Sequence, residues 1–221
     1  MGRSIAEGLA SVKGNMDEGV TLVAVSKTKP IEDIMAAYQA GQRIFGENRP
    51  QEMKAKFEAL PKDIQWHMIG RLQRNKVKYI IPFVSLIHSV DSERLLKEID
   101  KRSEQAGRVV DVLLQAHIAQ EETKAGMDFE ELNGLLSEIR SGAFQNVRCR
   151  GLMGMATLSE DLDRIRAEFE GLAAFFDDMR STQDESFDIL SMGMSGDYQL
   201  AIECGSNMVR IGSAIFGSRN G

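Results

Sequence analysis

Short apolar runs alternate along the chain with longer amphipathic segments. Within each run the apolar residues follow one another instead of alternating with polar ones, as in parallel strands that are covered on both faces. Each run also ends in polar residues. Eight runs have this character and are predicted as strands: TLVAVSK (21–27), RIFGEN (43–48), IQWHMIG (64–70), SLIHSVD (85–91), DVLLQAHI (111–118), CRGLMGMA (149–156), DILSMGMS (188–195) and MVRIGSAIFG (208–217).

The segments that separate these runs have the periodicity and end signals of helices. Predicted helices cover 31–40, 50–59, 72–79, 92–105, 128–140, 160–180 and 197–203, and a short amphipathic helix followed by a loop lies within 1–20. Eight strands that alternate with helices predict a single α/β domain over residues 1–221, a (β/α)8 TIM barrel. An open doubly wound sheet is the alternative, but it needs a glycine-rich turn after the first strand, and VSKTKP has none.

Composition narrows the class of protein. The 221 residues are 43% hydrophobic with a net charge of −6, so the chain can bury a core and has no basic stripe for a nucleic-acid backbone. Two cysteines do not make a disulfide framework, and no apolar run approaches the ~20 residues that cross a bilayer. We therefore expect a cytoplasmic protein that binds neither nucleic acid nor membrane.

In such a barrel, functional groups lie at the carboxyl ends of the strands. Lys27 ends the first predicted strand, where it is either a rim lysine with its stem over apolar neighbours or an amine held for Schiff-base chemistry. Lys29 follows in the helix start and is expected to be solvated. Asn48 could cap the helix that begins near Pro50. His67 could be a core histidine satisfied by backbone groups, and no histidine pair has metal-ligand spacing, so no metal is predicted.

Two glycine- and serine-containing segments lie at the carboxyl ends of the seventh and eighth predicted strands. LSMGMSGDYQ contains Ser195, and VRIGSAIFG contains Gly212 and Ser213. Barrels often bind phosphate with the loops after these two strands, although the glycines could simply permit tight turns. A lysine at strand one with a phosphate site at strands seven and eight fits a phosphorylated aldehyde. Pyridoxal 5′-phosphate (PLP) is the obvious candidate, and a sugar phosphate stays open.

Five motifs in order closely resemble the pyridoxal phosphate homeostasis proteins (the YggS or PROSC family): AVSKTKP, FGEN, WHMIGRLQRNK, SMGMSGD and VRIGSAIFG. The resemblance covers roughly residues 21–217 and implies a barrel like the N-terminal domain of alanine racemase. It implies that Lys27 holds PLP as a Schiff base and that Arg210 faces the pyridine nitrogen. The remaining implied binding residues are Ser195, Gly212 and Ser213 at the phosphate, with Asn48, His67, Met192 and Gly193 around the ring.

The resemblance further implies a protein that carries or buffers PLP in vitamin B6 and amino-acid homeostasis, without a catalytic reaction. Arg210 agrees, because a guanidinium only donates hydrogen bonds and so favours an unprotonated pyridine nitrogen. A PLP-dependent amino-acid racemase is the alternative function, and a Schiff-base aldolase is a third. We expect a monomer, with PLP-dependent apoenzymes as possible partners.

Three departures from the family pattern accompany the resemblance. The sequence reads GENRPQE where family members often read GENYVQE, so that Arg49 and Pro50 replace an aromatic and an apolar residue at the predicted mouth of the site. Ser213 stands where threonine is common, and His117 where asparagine is expected. None removes a predicted anchor residue.

Overall fold

Every predicted apolar run contains a strand. The computed structural model describes residues 4–119 and 125–217, with strands β1 (Thr21–Val25), β2 (Ile44–Glu47), β3 (Gln65–Met68), β4 (Leu86–Val90), β5 (Val110–Gln115), β6 (Val147–Met153), β7 (Ile189–Ser191) and β8 (Met208–Ile211). Each strand pairs in parallel with the next, and β8 pairs with β1. The predicted (β/α)8 barrel is thereby confirmed.

Helices connect the strands and cover the outside of the barrel. They are α1 (Ile5–Gly14), α2 (Ile31–Gln39), α3 (Pro50–Ala59), α4 (Glu93–Gln105), α5 (Phe129–Arg140), α6 (Leu162–Arg180), α7 (Tyr198–Glu203) and α8 (Ser213–Phe216). Two predictions were wrong in detail. The segment predicted as a helix over 72–79 forms a 3₁₀ helix, Arg74–Tyr79, and the end of the eighth predicted strand forms α8 instead.

Most predicted strands extend beyond the paired residues at their carboxyl ends. Ser26 and Lys27, for example, follow the last residue of β1 and belong to a turn. Lys27 lies past the hydrogen-bonded ladder and faces the end of the barrel, whereas Ser26 stays buried against β2. Most predicted site residues therefore lie on loops that the strands position, whereas His67 and Arg210 lie within β3 and β8 and Ser213 begins α8.

Apolar side chains fill two layers because successive strand residues point to opposite faces. The inner layer, inside the barrel, is small and contains Val23, Leu86, Leu113, Met153 and Met208. The outer layer is much larger and packs the strands against the helices, with Trp66 and Phe169 fully buried in it. Burial on both faces explains why the strands read as continuous apolar runs.

Side chains reinforce the join between β7 and β8, where the two strands share one register pair, Ser191 with Met208. The buried Ser206 hydroxyl accepts from the Met192 N–H (3.2 Å) and lies within 2.9–3.2 Å of the carbonyls of Leu190, Met192 and Met208. Asn207 bonds the Leu190 N–H (2.8 Å) and the Asp188 carbonyl (2.6 Å). These bonds join the segment before β8 to β7 and to the start of the loop that follows β7.

None of the described helices is both long enough and apolar enough to cross a membrane. The predicted domain over 1–221 also includes residues 1–3, 120–124 and 218–221, which lie outside the described residues. That domain assignment stays a prediction.

Candidate functional site

A cavity of about 330 Å³ opens at the carboxyl ends of the strands. Its wall comes mainly from the loops after β1, β2, β7 and β8. Six of the predicted site residues line it: Lys27, Asn48, Ser195, Arg210, Gly212 and Ser213. Thr28, Met155, Met194 and Gly196 also line the cavity and were not among the residues predicted to bind the cofactor.

Lys27 lies in a turn directly after β1 and is half-buried in the cavity wall. The Lys29 N–H donates to the Ser26 carbonyl (3.0 Å) and closes this turn. The Lys29 side chain is not simply solvated as expected: its Nζ donates to the carbonyls of Phe216 (2.9 Å) and Gly217 (3.3 Å) at the end of α8. The two lysines therefore differ, because Lys29 ties the first loop to the last helix.

Asn48 lines the cavity and does not cap the next helix. Helix α3 has Arg49 as its N-cap, with no side-chain cap hydrogen bond, and Pro50 at its first position. Arg49 is exposed, outside the cavity wall that the described residues form. Gly70, after β3, lies so close that a Cβ there would be 2.6 Å from the Asn48 Cα. Glycine at position 70 therefore lets the loop after β3 pack against Asn48.

Arg210 extends from β8 into the barrel and is 4% exposed. Its guanidinium donates to the Ser191 carbonyl (2.9 Å), the Ser191 hydroxyl (2.6 Å) and the Gly154 carbonyl (3.0 Å). Burial lowers the pKa of Arg210 to about 10, while the charge of Asp197 acts in the opposite direction. The guanidinium thus stays charged at neutral pH and is held rigidly beneath the cavity.

A chain of buried hydrogen-bonding groups continues from Arg210 across the barrel interior. We call it the inner relay, and its members are His67, His88, Ser191 and Arg210. His88 Nδ1 lies 3.2 Å from the Ser191 hydroxyl, and His88 Nε2 lies 3.0 Å from His67 Nδ1. Burial lowers the pKa of His67 to about 3 and that of His88 well below its usual value. Both imidazoles are therefore neutral at neutral pH.

His67 is thus a buried histidine whose described partner is a second imidazole and not the backbone. It lies below the cavity and is not among the residues that line it. In the part of the chain that the structure describes, no cluster of three or more histidine, cysteine or acidic side chains is arranged to hold a metal ion. His67 is connected to the site through Arg210.

Met192 and Gly193 shape the loop after β7 but do not form the cavity wall. Met192 is fully buried in the outer layer. Gly193 has φ +89°, and its carbonyl accepts from the Arg210 N–H (3.0 Å). A Cβ on Gly193 would be 2.7 Å from that of Ala201, so glycine permits both the turn and the close approach of α7.

The loops after β7 and β8 meet at the cavity rim. The Gly212 N–H donates to the Ser195 hydroxyl (3.3 Å), and Ser195, Gly196, Gly212 and Ser213 all line the cavity. Ser213 starts α8, and the first N–H groups of a helix have no acceptor within it. Two hydroxyls and nearby backbone N–H groups form a surface suited to an anion.

A second buried polar group lies behind the Lys27 turn, and sequence reasoning missed it. We call it the outer network, and its members are Ser26, Glu47, Glu52 and Lys56. Lys56 Nζ lies 2.8 Å from Glu47 Oε1 and 2.7 Å from Glu52 Oε1. Two signals could have revealed it: Glu47 is an acid within an apolar run, and Glu52 and Lys56 have the spacing of a helical ion pair.

The fold and this site define the class of protein. The family model "Alanine racemase, N-terminal domain" matches residues 3–220. An alanine racemase structure from E. faecalis aligns with a TM-score of 0.77 at 16% identity, covering 98% of this chain and 58% of that one, which shows the shared fold. The chain is thus a barrel of the alanine racemase N-terminal type.

Closer relatives narrow the assignment. The pyridoxal phosphate homeostasis protein of Aquifex aeolicus is 41% identical over 207 residues, covering 93% of this chain and 90% of that protein. PipY of Synechococcus elongatus, solved without and with PLP bound, is 37% identical with TM-scores of 0.91 and 0.88, covering 97% of this chain and all of PipY. The chain belongs to the family of pyridoxal phosphate homeostasis proteins.

Proposed function

We propose that this protein binds PLP at the cavity and carries or buffers it through a Schiff base with Lys27. The observation that carries the proposal is that one cavity wall brings together the Lys27 side chain, the Arg210 guanidinium and the serine- and glycine-lined rim. PipY, which was solved with PLP bound, supports the same cofactor.

The residues present fit the three chemical parts of PLP. The Lys27 amine would add to the aldehyde and release water, leaving an imine. The hydroxyls of Ser195 and Ser213 and the N–H groups near Gly212 suit the phosphate. Asn48 lines the same cavity and is proposed to contact the ring. Met192, Gly193 and His67 would act indirectly, by shaping the loop after β7 and by supporting Arg210.

Arg210 favours storage of the cofactor over catalysis. When bound, PLP supplies an aldehyde and a ring that withdraws electrons best when its nitrogen is protonated. A guanidinium can only donate a hydrogen bond, so Arg210 placed at the pyridine nitrogen would disfavour that protonation. Three hydrogen bonds to Ser191 and Gly154 hold the Arg210 guanidinium in place.

A PLP-dependent racemase is the alternative, and it needs a second proton-transfer group opposite the lysine. The cavity wall, as far as the described residues form it, offers Lys29 as the other amine, and Lys29 is bonded to the end of α8. We therefore favour the non-catalytic function. Interconversion of alanine enantiomers by the wild type, above the level of a Lys27→Ala control, would reverse this choice.

The deciding experiment is the absorption spectrum of the purified protein with added PLP. A band near ~420 nm, lost on borohydride reduction, is expected for a Schiff base. Lys27→Ala should lack it, and Lys54→Ala, a change at an exposed lysine on α3, should keep it. A wild type without the band would remove the proposal, and a Lys27→Ala variant that kept it would move the linkage to another lysine.

Delivery of PLP to apoenzymes is the proposed role of the loaded protein, with the monomer as its expected form and the cytoplasm as its expected location. Direct handover predicts that the loaded protein activates an apoenzyme faster than free PLP is released from it. Activation no faster than release would leave buffering alone.

A further inference from the structure

The turn that carries Lys27 is strained. Thr28 has φ +64°, and among the residues that the structure describes no other non-glycine residue has a positive φ. A β-branched residue in this region is a true outlier, and such strain persists only where the surroundings hold it. Thr28 is adjacent to Lys27 and lines the same cavity. The strained residue therefore lies next to the lysine that is proposed to bind PLP.

The outer network holds this turn at two points. Glu52 Oε1 accepts the Thr28 N–H at 2.7 Å, which fixes the strained residue itself. The same oxygen accepts from Lys56 Nζ (2.7 Å), and Lys56 Nζ also donates to the Ser26 carbonyl at 2.9 Å. Helix α3 thus forms hydrogen bonds with the turn on both sides of Lys27, at Ser26 and at Thr28.

Glu47 anchors the network between the barrel and α3. Its side chain is fully buried, and Oε1 accepts from the Ser26 hydroxyl (2.6 Å) and from Lys56 Nζ (2.8 Å). Glu47 Oε2 is buried without a hydrogen-bond partner in the described part of the chain. Burial raises the pKa of Glu47, and the Lys56 charge opposes that rise. A carboxyl kept under these conditions needs an explanation beyond packing.

We propose that Glu52 and Lys56 are positioning residues that hold the strained turn so that Lys27 presents its amine to the cavity. This inference rests on the proposed function, because the amine needs positioning only if it reacts. A turn that is already ordered before binding loses little conformational entropy when PLP binds. The Lys27 amine is then oriented toward the aldehyde from the start. Neither residue contacts the cavity, so their influence passes through residues 26–28.

Glu52→Ala tests the proposal most directly. It removes the acceptor of the Thr28 N–H, while Lys56 keeps Glu47 and the Ser26 carbonyl as partners. We expect the ~420 nm band to form on the order of 10-fold more slowly after PLP is added. In cofactor-free protein, exchange of the Thr28 amide hydrogen should accelerate. Glu58→Ala, which removes the exposed Lys54–Glu58 pair on the same helix, is the matched control and should change neither.

Rescue separates positioning from general damage. Glu52→Gln, which retains an acceptor oxygen, should fall between wild type and Glu52→Ala. An unchanged rate in Glu52→Ala overturns the proposal, and so does a Glu52→Gln variant that is as slow as Glu52→Ala. A wild type without the band removes the proposed function instead, while amide exchange still reports whether Glu52 holds the turn.

Discussion

The inner relay and the outer network are both buried polar chains next to the site, but they handle charge differently. Inside the barrel the two histidines are neutral, and Arg210 finds only uncharged acceptors. Between the barrel and α3, Lys56 lies between two carboxyl groups. No helix can enter the closed interior to supply an opposite charge. In the outer layer, by contrast, α3 supplies Lys56 opposite the Glu47 carboxyl. Burial thus keeps the two histidines neutral beside Arg210 on one side, and it is offset by opposite charges on the other.

Lys56→Met should lower the free energy of unfolding more than the other substitutions, because it leaves the buried Glu47 carboxyl with the Ser26 hydroxyl as its described partner. Removing one partner of a buried ion pair costs about 3–5 kcal/mol of unfolding free energy, measured here by urea denaturation. Because burial raises the pKa of Glu47, the loss should shrink as the pH falls toward 4.5, where the carboxyl can protonate.

Glu47→Gln in the Lys56→Met background is the matched control, since it removes the unpaired charge. It should recover most of the lost stability. A double variant as unstable as Lys56→Met would show that the network contributes through packing and not through paired charge.

Because its two histidines are buried, the inner relay should make the free energy of unfolding decrease as the solution becomes mildly acidic. The pKa of His67 is lowered from 6.5 to about 3 in the folded protein. Stability is therefore unaffected by this residue above pH 6.5, and it falls as the pH drops from 6.5 toward 3, because the unfolded chain then binds a proton that the folded protein does not. The loss approaches about 1.4 kcal/mol per pH unit for this residue, or roughly 2 kcal/mol between pH 6.5 and 5.

Urea denaturation over this pH range provides the measurement. Replacing both buried histidines, His67→Gln with His88→Gln, should flatten the slope whatever its effect on absolute stability. An equal slope in wild type and variant would mean that the imidazoles take up protons as readily in the folded protein as in the unfolded chain.

Ser191→Ala should have the smallest effect, because Arg210 keeps the carbonyls of Ser191 and Gly154. The lost hydroxyl is expected to cost about 1–2 kcal/mol of unfolding free energy. Ser137→Ala, at an exposed position on α5, is the control and should cost less. If the Ser191→Ala protein were as stable as wild type, the Ser191 hydroxyl would not couple the stability contributions of the histidines and Arg210.

Local sequence signals were enough to predict that several residues of the candidate site lie together. Lys27 ends an apolar run and Gly212 and Ser213 follow another, so barrel topology placed them together without knowledge of distances. The same reasoning was wrong about Asn48 as a cap, because Arg49 precedes α3 at the N-cap instead. It also could not place His67, whose partner, His88, comes from a different strand.

The sequence by itself determined the barrel, the order of its strands and the face that carries the site, because apolar runs and polar strand ends are local patterns. Only the tertiary structure decided how the site is supported. Glu47, Glu52 and Lys56 meet Ser26 and Thr28 across β1, β2 and α3, and the inner relay joins β3, β4, β7 and β8. Such contacts depend on which side chains share a buried space, and that follows from closing the barrel.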